Sequence, residues 1–310
     1  MTNVGRRSVG LLTFLAATRG AVRRRRRCQA GEVADQEVPL QGGKINRGIV
    51  RVGNTVRRPM HTWSTTVHAL LQHLERAGFE GAPRFLGIDE RGREVLSFLE
   101  GETLLPDGWR ALADSQELRA IGQLVRAFHD ATEGFRVPPG ATWSRIGNGY
   151  DPKGGPLVVH NDLGPWNIVV GPAFGLIDWD FISPGRAEWD LAYLLVAVGW
   201  FWEEPPPWQT GQLTVGEVVD RVVAIAEGYG ADEALTRTAL LLVPERCRSV
   251  ATNIEATAAA GHVAFARLVE DGDPAGWRRE ADRADGILPA VLKSLSLSTK
   301  DEARNTILDS

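Results

Sequence analysis

The stretch Val158-Val-His-Asn-Asp-Leu-Gly-Pro-Trp-Asn-Ile-Val-Val170 constrains this chain more than any other part of it. Apolar residues flank a polar loop, and a further short apolar run, Phe174-Gly-Leu-Ile177, ends in Asp178. Apolar runs this short, punctuated by Gly and Pro, read as strands around loops. The loop carries His160, Asp162 and Asn167, and the next strand delivers Asp178. Loop aspartates and asparagines ordinarily serve turns and helix caps. Turn chemistry gives no reason for such a set to keep this spacing, so the set reads as a site.

Phosphoryl transfer from a nucleotide needs these residue types. One carboxylate accepts or orients the proton of the attacking hydroxyl, and an amide and a second carboxylate hold magnesium against the phosphates. Asp162 and Asn167, five apart on one loop, can address opposite sides of a transferring group. The spelling resembles the catalytic loop and metal-binding aspartate of protein-kinase-like enzymes. It is closest to the aminoglycoside phosphotransferase family, whose loop reads His-Gly-Asp-x-x-x-x-Asn, followed by Ile-Asp-(Trp or Phe) and then Asp-Leu-Ala. Here those are His160-Asn161-Asp162, Asn167, Ile177-Asp178-Trp179 and Asp190-Leu191-Ala192, with Asn161 standing where the family usually has glycine. The motif match spans residues 158–192, and the overall layout extends it loosely over 38–310.

That resemblance implies an α+β, protein-kinase-like fold of two lobes. A basic tail would cover 1–32, a nucleotide-binding sheet lobe 33–100, and a helical lobe 101–310 with the catalytic loop and acceptor site. Asp162 would be the catalytic base, and Asn167 and Asp178 the Mg2+ ligands. His160 would brace the loop, and Asp190 would hydrogen-bond its backbone from the start of a buried helix. The donor would be ATP or GTP, and the acceptor a hydroxyl of a small molecule. The rival reading is a nucleotide-binding pseudokinase that acts through a partner.

The chain around the motif fits this layout. Gly48-Ile-Val-Arg-Val52 and Thr55-Val-Arg-Arg58 around Gly53-Asn54 spell a hairpin ended by Pro59. Val67 to Arg76 has helical spacing, with strands expected at 84–88 and 94–98. A helix is expected over 111–132, and the chain from Glu188 onward reads as largely helical, with Leu191 to Trp202 as a buried helix.

The nucleotide side departs from the pattern. Kinase-like folds place a lysine on the third strand, paired to a glutamate on the next helix. This chain has four lysines, and none lies between Lys44 and Lys153. A two-residue turn at Gly53-Asn54 pairs Val50 with Arg57, and an apolar valine over the base beside a cation near the phosphates selects Arg57 over Arg58 as the substitute. The helix has Thr66-Val67-His68 where the glutamate belongs, and His68 reads as a surface or half-buried residue. Gly42-Gly43 stands for the phosphate-covering loop, and Phe98 and Leu99 for the hinge that meets the base.

Charge narrows the partners. The chain carries 35 basic and 39 acidic residues, but its first thirty residues hold eight arginines and no acid. The remainder is therefore acidic, unlike the basic body of a nucleic-acid binder, and it suits a cationic acceptor, while the family resemblance also implies sugar-like ones. Trp202 and Glu203, in Trp200-Phe-Trp-Glu-Glu-Pro-Pro-Pro-Trp208, are the candidate acceptor contacts, although such a run also closes a buried helix. The basic N-terminus is either a tail or a twin-arginine export signal. Two cysteines, and apolar runs too short to span a bilayer, point to a reducing, cytoplasmic setting away from membranes.

Overall fold

The structure is a computed structural model and describes residues 36–40, 48–105, 112, 114–147, 149–199 and 213–308. The basic N-terminus, Gly42, Gly43, Trp202 and Glu203 lie outside the described residues.

The chain opens with a five-stranded antiparallel sheet. Strands β1 (Val38–Pro39), β2 (Val50–Val52), β3 (Thr55–Arg58), β4 (Phe85–Ile88) and β5 (Glu94–Ser97) take the order β1-β2-β3-β5-β4. Gly53 adopts the left-handed conformation that a two-residue hairpin turn requires, with φ of 56°. The pairing is Val50 with Arg57 and Val52 with Thr55, the register the turn predicts. β3 then pairs with β5, so that Val56 faces Leu96 and Arg58 faces Glu94. Leu96 and Glu94 are both buried, and Val56 packs on the core. Helix α1 (Ser64–Arg76) follows β3 and buries Val67, His68, Leu70, Leu71 and Leu74. Its start lies three residues before the expected Val67.

The rest is mostly helical. After β6 (Glu102–Thr103) come α2 (Ser115–Thr132), β7 (Leu157–Val159), β8 (Ile168–Val170), β9 (Gly175–Leu176) and β10 (Ser183–Gly185). β6, β8 and β9 form one small sheet, and β7 pairs with β10. These short ladders clamp the loop 160–167 and the turn 177–182 at both ends. The C-terminal helices are α3 (Ala187–Gly199), α4 (Val215–Tyr229), α5 (Glu233–Ala259), α6 (Val263–Glu270) and α7 (Asp273–Leu308). In α3 every residue from Trp189 to Val198 is buried, which agrees with the apolar run. Gly230 ends α4 in the left-handed conformation at φ 73°.

α2 and α4 touch backbone to backbone. A Cβ on Gly228 would lie 2.0 Å from the Arg119 carbonyl oxygen, and one on Gly122 would lie 2.3 Å from that of Ile225. Only glycine allows this approach, and it brings Tyr229 of α4 against His129 of α2. Among the described residues no helix is long and apolar enough to cross a membrane.

Candidate active site

Asp162 lies between β7 and β8 and is 5% exposed. Its carboxylate is held on both oxygens. Oδ1 accepts hydrogen bonds from the Tyr193 hydroxyl at 2.8 Å and the Trp166 indole at 3.3 Å. Oδ2 accepts from the Asn167 amide at 2.7 Å. Burial pushes the Asp162 carboxyl up to about 6, against the hydrogen bonds from Tyr193, Trp166 and Asn167. The Tyr193 hydroxyl is itself pushed well above its ordinary range by burial and by the Asp162 charge, so it stays a donor. A buried carboxylate with a near-neutral pKa, held in one orientation, can serve as a general base.

The loop hangs on Asp190, the fourth residue of α3, which is fully buried. The backbone N–H groups of His160 and Asn161 donate to its two oxygens at 2.7 and 2.8 Å. His129 Nε2 donates to it at 3.1 Å, and the Tyr229 hydroxyl meets the other ring nitrogen of His129 at 2.9 Å. The helix pair α2–α4 thus reaches the loop through His129 and Asp190. Burial pushes Asp190 up, but the His129 hydrogen bond, the neighbouring imidazoles and the backbone donors outweigh it, and the group titrates below its usual range. His160 itself packs against the rings of Phe128 and Trp179. Burial lowers its pKa to about 4, leaving it neutral.

Asn161 explains its departure from glycine. Its φ is 64°, a left-handed conformation that asparagine tolerates better than most residues. Its side-chain amide donates to the Phe181 carbonyl at 2.8 Å and to Ser183 Oγ at 2.9 Å, tying the loop to the segment after Asp178. Arg246 of α5, fully buried, donates to the Asn161 carbonyl at 2.7 Å and stacks over Trp189 and Tyr193.

Arg58, and not the expected Arg57, is the arginine that meets Asp178. The hairpin register is the expected one, but the opposite face of β3 turns to the cleft. Val56 and Arg58 share the face that packs on Leu96, Glu94 and α1, because the core claims the alternation that includes Leu96. Arg58 is 7% exposed. Its guanidinium meets Asp178 at 3.2 Å, bonds to Asp180, and lies 2.5 Å from Glu94 at Nε. Arg57 looks the other way, donating to Thr55 Oγ1 at 2.7 Å with Asp89 at 3.8 Å. His68, expected at the surface or half-buried, is buried and lies 2.5 Å from Glu94 Oε2. Phe98 donates its N–H to the Asn54 carbonyl at 3.0 Å, and its ring lies under Arg51. Leu99 remains half-buried between the sheet and β6.

Asp178 is left-handed at φ 60° and starts the 3₁₀ turn Trp179–Phe181. This conformation, uncommon for a residue with a side chain, keeps its carboxylate partly open, with the side chain 31% exposed. Burial and the Asp180 charge push its pKa up, and Arg58 opposes them. Asp178, Asp180 and Glu94 together outnumber the one guanidinium they share. The excess negative charge and the all-oxygen character of Asp178 and Asn167 suit a hard divalent cation. Among the described residues no three His, Cys, Asp or Glu side chains make a metal cage. Magnesium held by one or two protein groups plus phosphates needs none.

Arg58, Glu94, Tyr193 and Arg246 escape the motif reading. Tyr193 carries a signal, since three residues after Asp190 on a helix places it on the same side. Glu94 carries another: it alternates with Leu96, so the face that buries the leucine buries the acid.

The sequence model of the phosphotransferase enzyme family matches residues 140–233, which covers the loop, Asp178 and α3. The trifolitoxin immunity protein of Rhizobium leguminosarum bv. trifolii is 36% identical over 200 residues, 63% of this chain and 75% of that protein. Among solved structures, a choline/ethanolamine kinase family protein from Mesorhizobium loti superposes with a TM-score of 0.50 at 16% identity, covering 84% of this chain and 90% of the other. A Ralstonia eutropha protein assigned as an aminoglycoside phosphotransferase gives 0.51 at 13% identity, covering 83% and 94%. At these identities the structural likeness speaks for the kinase-like fold.

Proposed function

We propose, starting from the fact that this chain belongs to the phosphotransferase enzyme family, that it transfers the terminal phosphoryl group of ATP or GTP to a hydroxyl of a small molecule. The observation that carries this reading is that Asn167 bonds Asp162, Arg58 bonds Asp178, and the two pairs adjoin, with the Ile177 N–H on the Asn167 carbonyl and the Asp162 charge acting on Asp178. Asp162 takes the acceptor's hydroxyl proton on a carboxylate oxygen. Tyr193 and Trp166 on Oδ1, and Asn167 on Oδ2, fix its direction. Asn167 and Asp178 would hold Mg2+, which when bound supplies charge neutralisation at the phosphates. Arg58, whose Nη atoms already bond Asp178 and Asp180, would offer its remaining N–H groups to phosphate oxygens where kinase-like folds usually place a lysine. Leu99 marks the hinge that meets the base, in a lobe division near residue 100. Catalysis on this reading is positioning and charge compensation.

The acceptor follows from the relatives only by class. The curated relative is an immunity protein against trifolitoxin. Carried to this chain, that suggests protection from a toxin by phosphorylating a hydroxyl. The acidic body of the protein favours a cationic acceptor.

A screen of hydroxylated cationic, sugar and toxin compounds for acceptor-dependent ADP or GDP release tests the reading. The expected result is magnesium-dependent release with at least one acceptor, lost in Asp162→Asn. Magnesium–nucleotide binding without turnover across the screen, with no effect of Asp162→Asn, would favour the pseudokinase instead.

A further inference from the structure

Kinase-like folds orient the phosphate-binding cation with a glutamate from the helix after β3. In this chain that helix has no such glutamate, and the carboxylate beside the cation comes from the sheet. Glu94 of β5 stands directly opposite Arg58 in the β3–β5 register. It is 1% exposed: Oε1 forms an ion pair with Arg58 Nε at 2.5 Å, off hydrogen-bond alignment, and Oε2 lies 2.5 Å from His68 Nε2. His68 belongs to α1 and is itself stacked on Phe85 of β4, with ring centroids 3.8 Å apart and planes 15° apart. It is held between helix and sheet.

We propose that Glu94 and His68 form a positioning relay for Arg58, in which the helix sets the direction of the phosphate-side cation through a strand carboxylate instead of touching the cation itself. This rests on the reading of Arg58 as the phosphate-side group. The geometry of arginine gives the reason. A lysine is a point charge on a flexible stem, and any nearby acid can steady it. A guanidinium is a flat fork, so fixing its Nε edge fixes where both Nη atoms point. With Glu94 in ion contact at Nε, the two Nη atoms of Arg58 face Asp178 and Asp180. His68 occupies the second oxygen of Glu94, so the carboxylate cannot swing to another partner. A shift of α1 would therefore turn the fork.

Two elements bound to a nucleotide site through one carboxylate make a testable unit. The probe is the non-hydrolysable nucleotide adenosine 5′-(β,γ-imido)triphosphate with Mg2+, titrated calorimetrically into the full chain, alongside melting temperatures. Glu94→Gln should weaken nucleotide binding by about tenfold, the size expected when a binding group is misdirected. His68→Leu should weaken it in the same direction. His68→Gln, which keeps a side-chain N–H for Glu94, should restore most of the loss. In an Arg58→Ala background, Glu94→Gln should add nothing, because a positioning residue has no effect once its client is gone.

Several results overturn the relay. Wild-type nucleotide affinity in Glu94→Gln and His68→Leu, with only a lower melting temperature, would make the cluster structural. Equal losses in His68→Leu and His68→Gln would remove His68. A full Glu94→Gln effect persisting in Arg58→Ala would mean that Glu94 acts on something else. If Arg58→Ala alone leaves affinity unchanged, the reading of Arg58 fails and the relay with it. If Arg58→Ala weakens binding and Glu94→Gln does not, only the relay fails. Should Glu94→Gln not fold, the two His68 variants decide the question.

Discussion

The loop side and the sheet side of this site are built by different rules. On the loop side, Asp162, Asn167, Asp178 and Asp190 lie within 29 residues, and short ladders at both ends fix where each one points. On the sheet side, Arg58, Glu94 and His68 come from two strands and a helix, and their meeting depends on which face of the sheet the core covers. Local spacing settles the first arrangement. Long-range packing settles the second. A loop of this kind therefore keeps a recognisable spelling, whereas the Arg58–Glu94 pair, drawn from two strands, has no local spelling.

The largest expected effect is on the loop side. Asp162→Asn keeps the shape of the site and removes the proton acceptor. Turnover of a verified acceptor should fall by about 100- to 10,000-fold while nucleotide affinity changes little. Steady-state kinetics with calorimetric nucleotide binding checks this, and wild-type turnover would break the loop assignment.

The sheet side should answer in stability as well as in binding. Arg58→Met leaves Glu94 and Asp180 buried without their cation, and breaking such a cluster typically costs about 3–5 kcal/mol. Arg57→Met, at a half-buried position with Thr55 and Asp89 as partners, should lie within about 1 kcal/mol of the wild type. Urea unfolding of the two variants gives the contrast directly.

Tyr193 sharpens the comparison from within the loop side. Tyr193→Phe removes one of the donors to Asp162, and kcat should fall by about tenfold with nucleotide affinity unchanged. The pH profile carries a second signal. Burial raises the Asp162 pKa to about 6, and a carboxylate proposed as the base would work only when ionised, so activity should be lost as pH falls through about 6. The Tyr193 hydrogen bond favours the ionised form, so the acid limb of Tyr193→Phe should move to higher pH. An unmoved limb would detach Tyr193 from the base.

How much of this was legible in the sequence follows the same division. The hairpin register was legible because Gly53-Asn54 sets it. The cleft-facing side of β3 was not, since alternation tells which residues share a face and leaves open which face is covered. The deciding fact, that Leu96 and Glu94 are drawn to the core together beside Val56 and Arg58, lies forty residues downstream. The burial of α3 was legible as an unbroken apolar run, while Arg246 reaches the Asn161 carbonyl from a helix 85 residues away and left no local trace. Asn161 stood out as a departure from glycine. The reason it is tolerated, a left-handed backbone with a side chain bonded to Phe181 and Ser183, belongs to the folded loop.

The central claim is that the sheet delivers Arg58, and not its neighbour, to the phosphates. Calorimetric titration of the magnesium–imidotriphosphate nucleotide into Arg57→Ala and Arg58→Ala, beside the wild type, tests it most directly. The account predicts that Arg58→Ala loses about tenfold or more in affinity, the size of at least one charge-assisted contact to phosphate, while Arg57→Ala stays within about twofold. Loss confined to Arg57→Ala, with Arg58→Ala binding like the wild type, would contradict it.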